Sequence, residues 1–183
     1  MGETICSSLH SKMRNIFLVG LPSSGKTTLG KQLARQIRYR FVDTDALIVK
    51  EEGMSINDIF TQKGEPYFRE AEARILRAIR PNSKLIVATG GGIPYFHDNM
   101  GYIKQHGISV FLDVAPEEIA ERILRHSADD RPIYRKEDEQ LLRNLQQKYR
   151  DRLPFYSPAD FVLKGENLQI KQLLEILQDV VAV

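Results

Sequence analysis

The chain has 183 residues, enough for one α/β domain with an inserted segment and too few for two full-sized domains. Its 42% hydrophobic content supports a packed core, while 26 Lys and Arg against 24 Asp and Glu leave a net charge of +2. That balance argues against a protein held to nucleic acid by broad phosphate contacts or to a membrane by a basic face, so any anion site must be local. The single cysteine, Cys6, excludes an intramolecular disulfide and a multi-thiolate zinc site, and points to a reducing compartment, the cytoplasm. No apolar run approaches the roughly 20 residues that span a bilayer. Residues 1–12 have neither a basic start nor an apolar stretch and read as a short disordered tail, leaving a single domain over 13–183.

Along that domain, short β-branched and aromatic runs alternate with helix-like sequence. The runs are Ile16–Val19, Phe41–Val42, Leu85–Ala88, Ser109–Leu112 and Phe161–Leu163. Because they read as continuously apolar, they predict a five-stranded parallel sheet covered by helices on both faces. After the first run, Leu29, Leu33 and Ile37 mark an amphipathic helix. Ser55 and Asp58 form a capping-box pattern that opens a short helix, and Phe68, Ala71, Ile75 and Ile79 stripe another after Gly64. Pro116, Glu117 and Glu118 make a good first helical turn, and a polar loop from His126 to Pro132 follows. The last helix carries Ile170, Leu173, Leu174, Leu177, Val180 and Val181 on one stripe, with Asn167 as its expected cap.

The strongest chemical signal is Gly20-Leu21-Pro22-Ser23-Ser24-Gly25-Lys26-Thr27, the G-x-x-x-x-G-K-T pattern, lying between a strand and a helix. The glycines let successive backbone N–H groups converge on a phosphate, and the helix N-terminus adds its positive end. Lys26 supplies a full charge to the β- and γ-phosphates, and the Thr27 hydroxyl can ligate Mg2+. The N-K-x-D base-reading motif of GTPases is absent. ATP-using small-molecule kinases, nucleotide kinases, ATPases and modules that bind nucleotide without turnover all stay open on this motif alone.

Asp43-Thr44-Asp45 follows the second run, where a parallel strand opens into the ligand crevice. Asp43 can sit near the metal while Asp45 faces an acceptor hydroxyl, or one of them can simply cap the next helix. Gly90-Gly91-Gly92, after the third run, is a second place where backbone can approach a ligand closely. Arg69 and Arg152 on their own read as surface arginines.

In order, the phosphate loop, Asp43-Thr44-Asp45, Gly64-Glu65-x-x-Phe68-Arg69, Gly90-Gly91-Gly92, and Arg131-Pro132 followed by Arg152-x-Pro154-x-Tyr156 resemble the shikimate kinase family from about Asn15 to the C-terminus. The resemblance implies a three-layer P-loop kinase fold like that of nucleoside monophosphate kinases. It would have a five-stranded parallel sheet, a substrate-binding region over about 44–80 and a mobile lid over about 126–138. It implies transfer of the γ-phosphate of ATP, with Mg2+, to the 3-hydroxyl of shikimate in aromatic amino-acid biosynthesis. Catalytic roles would fall to Lys26, Asp45 and Arg131. Nucleotide contacts would come from Gly20, Ser23, Ser24, Gly25, Lys26, Thr27, Thr28, Arg125 and the lid residue Arg131, with Arg122 as the alternative to Arg125 on adenine. Shikimate would be held by Asp45, Arg69, Gly91, Gly92 and Arg152, and the metal by Thr27 and Asp43. The expected state is a cytoplasmic monomer with no nucleic-acid or membrane partner. Thr89, before the glycine triplet, departs from the apolar residue expected there, and Pro22 removes one donor from the phosphate loop.

Overall fold

The structure, a computed structural model, describes residues 14–127, 138–165 and 168–180. Five strands, β1 (Asn15–Val19), β2 (Arg40–Asp43), β3 (Leu85–Ala88), β4 (Gly107–Asp113) and β5 (Phe161–Lys164), form one parallel sheet in the order β2-β3-β1-β4-β5. Around them run α1 (Lys26–Gln36), α2 (Thr44–Glu52), α3 (Ile56–Ala78), α4 (Asn99–His106), α5 (Pro116–Ser127), α6 (Asp138–Tyr156) and α7 (Ile170–Leu177). Each expected strand is present, extended by no more than two residues at either end. The expected tail over 1–12 and residues 128–137, which hold Arg131 and most of the expected lid, lie outside the described residues.

Side chains alternate across the sheet and so build two cores. Phe17, Val19, Val87 and Phe111 face one side, where Leu76, Ile103, Ile119 and Tyr156 cover them. Ile16, Leu18, Ile86, Val110 and Leu112 face the other, under Leu29 and Leu33 of α1 and Leu173 and Leu177 of α7. Each such aliphatic or aromatic side chain contributes roughly 1.5–3 kcal/mol on burial, which is why these runs are apolar without alternation. The last helix is capped by Gln169, whose side chain and that of Gln172 exchange bonds with the backbone. Asn167, expected in that role, lies outside the described residues.

A third, smaller cluster of Ile48, Ile59, Phe68, Ala71 and Ile75 joins α2 to α3 beyond the sheet edge. Glu52 at the end of α2 clamps the same pair, accepting from Lys63, Tyr67 and Arg74 of α3. The sequence predicts a short helix from Ser55 and a second after Gly64, and the structure joins them into one run broken at Gly64. Ser55 caps its start by accepting from the Asp58 N–H at 3.1 Å. Gly64 has φ 81 and ψ 170, a region closed to side-chain-bearing residues, and Pro66 restarts the helix where an N–H is dispensable. Gly64→Ala is therefore expected to lower stability by about 1–3 kcal/mol in urea denaturation, with the denaturant slope unchanged.

Candidate active site

The parallel sheet brings the carboxyl ends of β1, β2 and β3 to one edge, where a cleft of about 540 Å³ opens. Its walls include Ser23, Ser24, Gly25, Lys26, Thr27 and Thr28 from the loop after β1, Asp43 and Asp45 after β2, and Gly91 after β3. Three residue groups far apart in sequence thus meet because their strands are neighbours.

Lys26 is buried at the base of the loop. Its ammonium donates to the carbonyls of Gly20 at 3.0 Å and Leu21 at 2.6 Å, and to Ser24 Oγ at 3.4 Å. Burial lowers its pKa from 10.5 to about 8, against the opposing pull of Asp45 and Asp43. An anion arriving at the loop would restore the charge that burial penalises.

Asp43 takes the capping role and also pairs with Thr27. Its Oδ1 accepts from the Asp45 N–H at 3.0 Å and caps α2, while Oδ2 accepts from Thr27 Oγ1 at 2.9 Å. A 2.9 Å separation between two hard oxygens matches the edge of an octahedron with bonds of about 2.0–2.1 Å, so this pair suits Mg2+.

Asp45 lies in the first turn of α2 with its Oδ1 buried and without a hydrogen-bond partner among the described residues. Burial, and secondarily Asp43, push its pKa up, with Lys26 and Arg69 pulling the other way. A buried carboxylate oxygen with no donor is poised for an incoming hydroxyl.

The two arginines converge on the glycine triplet from different helices. Arg152 of α6 donates to the Gly91 carbonyl at 3.1 Å, and so does the fully buried Tyr156 hydroxyl. Arg69 of α3 donates through Nη1 to buried Glu72 at 2.7 Å, and through Nε and Nη2 to Glu65 at 3.0 and 2.7 Å. A Cβ on Gly90 would lie 2.5 Å from Asp45 Oδ1 and 2.9 Å from Glu72 Oε1, and one on Gly92 would run into Arg69 Nη1. The triplet lets backbone sit against this charged cluster. Thr89, the departure before it, donates its buried hydroxyl to the Leu18 carbonyl at 3.0 Å, so the hydroxyl is satisfied in the sheet.

Arg125 does not reach the cleft. It pairs with Glu121 at 2.7 Å and its side chain is 75% exposed, whereas Arg122 lines the cleft and donates to the Ser23 carbonyl at 3.2 Å. Three residues along a helix are about 4.5 Å of rise, enough to carry Arg125 past the loop. Arg131 lies outside the described residues.

Two contributors carry no sequence motif. Glu72 stands three residues after Arg69, a helical spacing that could have flagged it. Thr44, between the two aspartates, accepts from the buried Gly90 N–H at 2.8 Å and so ties the end of β2 to the triplet.

A shikimate kinase family model matches residues 22–182. A shikimate kinase of Bacteroides fragilis is 38% identical, with 89% of this chain and 91% of that protein aligned. Among solved structures, shikimate kinase from Bacteroides thetaiotaomicron superposes with a TM-score of 0.81 at 35% identity, covering 90% of this chain and 98% of that one. Shikimate kinase from Acinetobacter baumannii in complex with shikimate gives 0.78 at 32% identity, over 94% and 98%.

Replacing Thr44 by Val would leave the Gly90 N–H buried and unpaired. Thr44→Val is expected to cost about 1–3 kcal/mol in thermal or urea unfolding, and Thr44→Ser, which keeps the acceptor, less than about 1 kcal/mol.

Proposed function

The chain belongs to the shikimate kinase family, and on that premise we propose how its residues divide the transfer of the γ-phosphate of ATP to the 3-hydroxyl of shikimate. The products are shikimate 3-phosphate and ADP, a step in aromatic amino-acid biosynthesis. The observation that carries the assignment of roles is Asp45 Oδ1, buried beside the glycine triplet, unpartnered among the described residues and within the electrostatic reach of Lys26 and Arg69.

The loop N–H groups of Ser23 to Thr28 and the start of α1 cradle the phosphates of ATP, and Lys26 neutralises the β- and γ-oxygens. Thr27 and Asp43 would hold Mg2+, which would supply positive charge beside the phosphates of ATP. Arg122, lying on the phosphate loop within the cleft, is better placed than Arg125 to cover the nucleotide.

On the acceptor side, Arg152 and Arg69 grip the shikimate carboxylate, and Gly91 and Gly92 offer backbone contacts. Guanidinium forks suit a planar carboxylate and fix the orientation of the ring that bears it. Arg69 meets the substrate with Glu65 already on its Nε–Nη2 edge, so one carboxylate is exchanged for another there. Asp45 accepts the proton of the 3-hydroxyl as the new O–P bond forms and the bond to the β–γ bridging oxygen breaks, releasing ADP. Its burial-raised pKa favours taking that proton. Arg131 on the lid would close over the γ-phosphate and exclude water, which would otherwise compete as acceptor. The balanced charge supports a monomer without a nucleic-acid partner, and the single cysteine supports a reducing, cytoplasmic setting. Among the described residues, no helix is long and apolar enough to cross a membrane.

The direct test is Mg2+-dependent ADP formation with shikimate, gluconate or AMP as acceptor, and only shikimate should stimulate it. In the same assay Asp45→Asn is expected to lower kcat by about 10²–10⁴-fold while shikimate KM shifts far less. A comparable loss of shikimate affinity with kcat preserved would overturn the role given to Asp45.

Lys26 yields a pH signature. In the free protein it loses its proton above about pH 8, while bound phosphates hold it charged, so ATP binding takes up a proton and weakens as pH rises through 8. Calorimetry at pH 9 in buffers of different ionisation enthalpy should register uptake of about one proton, absent in Lys26→Arg.

A further inference from the structure

The acceptor arginines stand beside a row of aromatic rings that the reading above does not use. The Arg69 guanidinium lies over the rings of Phe96 at 4.4 Å, Phe68 at 5.2 Å and Phe60 at 5.8 Å. Phe60 and Phe68 share α3 with Arg69, but Phe96 comes from the segment after the glycine triplet. From Phe96 the row continues into Tyr95, edge-on with centroids 4.7 Å apart, and from Tyr95 into Phe155, also edge-on at 4.7 Å. Phe155 lies on α6 three residues beyond Arg152. The row therefore runs from one acceptor arginine to the helix that carries the other.

Core packing does not account for it, because Tyr95 and Phe155 remain 36% and 39% exposed. The backbone behind Phe96 adds a second, independent observation. His97 and Asp98 both adopt left-handed angles, φ 54 and 51, in succession. Histidine and aspartate enter that region more readily than most residues, and a fixed partner can hold such a turn in place. Here Arg77 braces it: Nη2 donates to the His97 carbonyl at 3.1 Å and Nη1 to Asn99 Oδ1 at 2.8 Å. Arg77 stands on α3, two helical turns from Arg69. The helix that bears the guanidinium thus also holds the turn that presents a ring to it.

We propose that Phe96 is a positioning residue for the acceptor site: with Tyr95 and Phe155 it holds the plane of the Arg69 guanidinium and couples it to the Arg152 helix. The two arginines then meet the substrate carboxylate as a preset pair. The inference rests on the shikimate kinase reading, in which that carboxylate is the ligand. A ring with the guanidinium seated over its face limits where that group can move, and it adds a cation–π attraction that strengthens as water is removed. Glu65 and Glu72 fix the edges of the group, and Phe96 fixes its face. Ordering a rotamer-rich side chain before the substrate arrives lowers the cost of binding, so the effect should appear in shikimate affinity.

The test is steady-state kinetics on the full chain, with shikimate binding followed separately by calorimetry. Phe96→Leu is expected to raise shikimate KM and Kd by about tenfold, with kcat and ATP KM within about twofold of wild type. Phe96→Tyr, which keeps the ring, should restore wild-type values. Phe155→Leu should weaken shikimate binding by a smaller factor, and the Phe96→Leu, Phe155→Leu double variant should fall short of the product of the two single effects, because the rings act as a unit. Unchanged shikimate Kd in Phe96→Leu would overturn the proposal. So would Phe96→Tyr behaving like Phe96→Leu, or a parallel loss of ATP and shikimate affinity accompanied by a lowered Tm. Absence of shikimate-dependent ADP formation in wild type would instead defeat the functional reading itself, and the two failures are separable in one assay.

Discussion

An ammonium group held inside the phosphate loop is the constraint around which the site is arranged. Lys26 gives its donors to two carbonyls and a hydroxyl of its own loop, which shapes the loop, but burial strips away the water that would otherwise stabilise the charge. Asp43 and Asp45 compensate from across the cleft, and they can do so because β2 ends two strands from β1, with β3 between. The nucleotide and acceptor halves are therefore one electrostatic unit. A charge added or removed on one side changes the protonation of groups on the other.

The same proximity creates tension on the acceptor side. Asp45 and Glu72 both approach Gly90; burial raises the proton affinity of each, Asp43 adds to that of Asp45 and Asp45 to that of Glu72, and Arg69 relieves only part of this. A hydroxylated, carboxylated substrate answers both needs at once. Its hydroxyl would supply the donor that Asp45 Oδ1 lacks among the described residues, and its carboxylate would take guanidinium edges now held by a half-exposed glutamate. Substrate binding would thus satisfy both groups, which would favour discrimination against acceptors that lack either one.

Much of this could be read in the sequence because it rests on local rules. Apolar runs fix strands buried on both faces, and the glycine and lysine spacing of the phosphate loop is enforced by backbone geometry within eight residues. Ser55 with Asp58 marked a helix start for the same reason. What escaped depends on contacts between distant segments. Thr44 looks like a spacer until β3 places Gly90 beside it, and Phe96 looks like a loop aromatic until α3 places Arg69 beneath it. Arg122 and Arg125 are equivalent by composition, and only the height of α5 relative to the phosphate loop separates them. Gly64 is visible in the sequence as the boundary between two helices, and the structure keeps it as the kink between them.

The glycine triplet connects these parts. Gly90 is bonded to Thr44 at the start of α2, Gly91 accepts from Arg152 and Tyr156 of α6 and packs near Pro22 of the phosphate loop, and Gly92 lies against Arg69 of α3. Three helices and the phosphate loop thus register on three residues with no side chains of their own. A Cβ added to Gly90, Gly91 or Gly92 would meet Asp45, Pro22 or Arg69 respectively, so each position would have to displace a different neighbour. Pro22 packs on the same triplet, and a Cβ on Gly91 would meet its ring at 2.7 Å. The phosphate loop, through Pro22, and both arginines therefore take their positions from the same three residues.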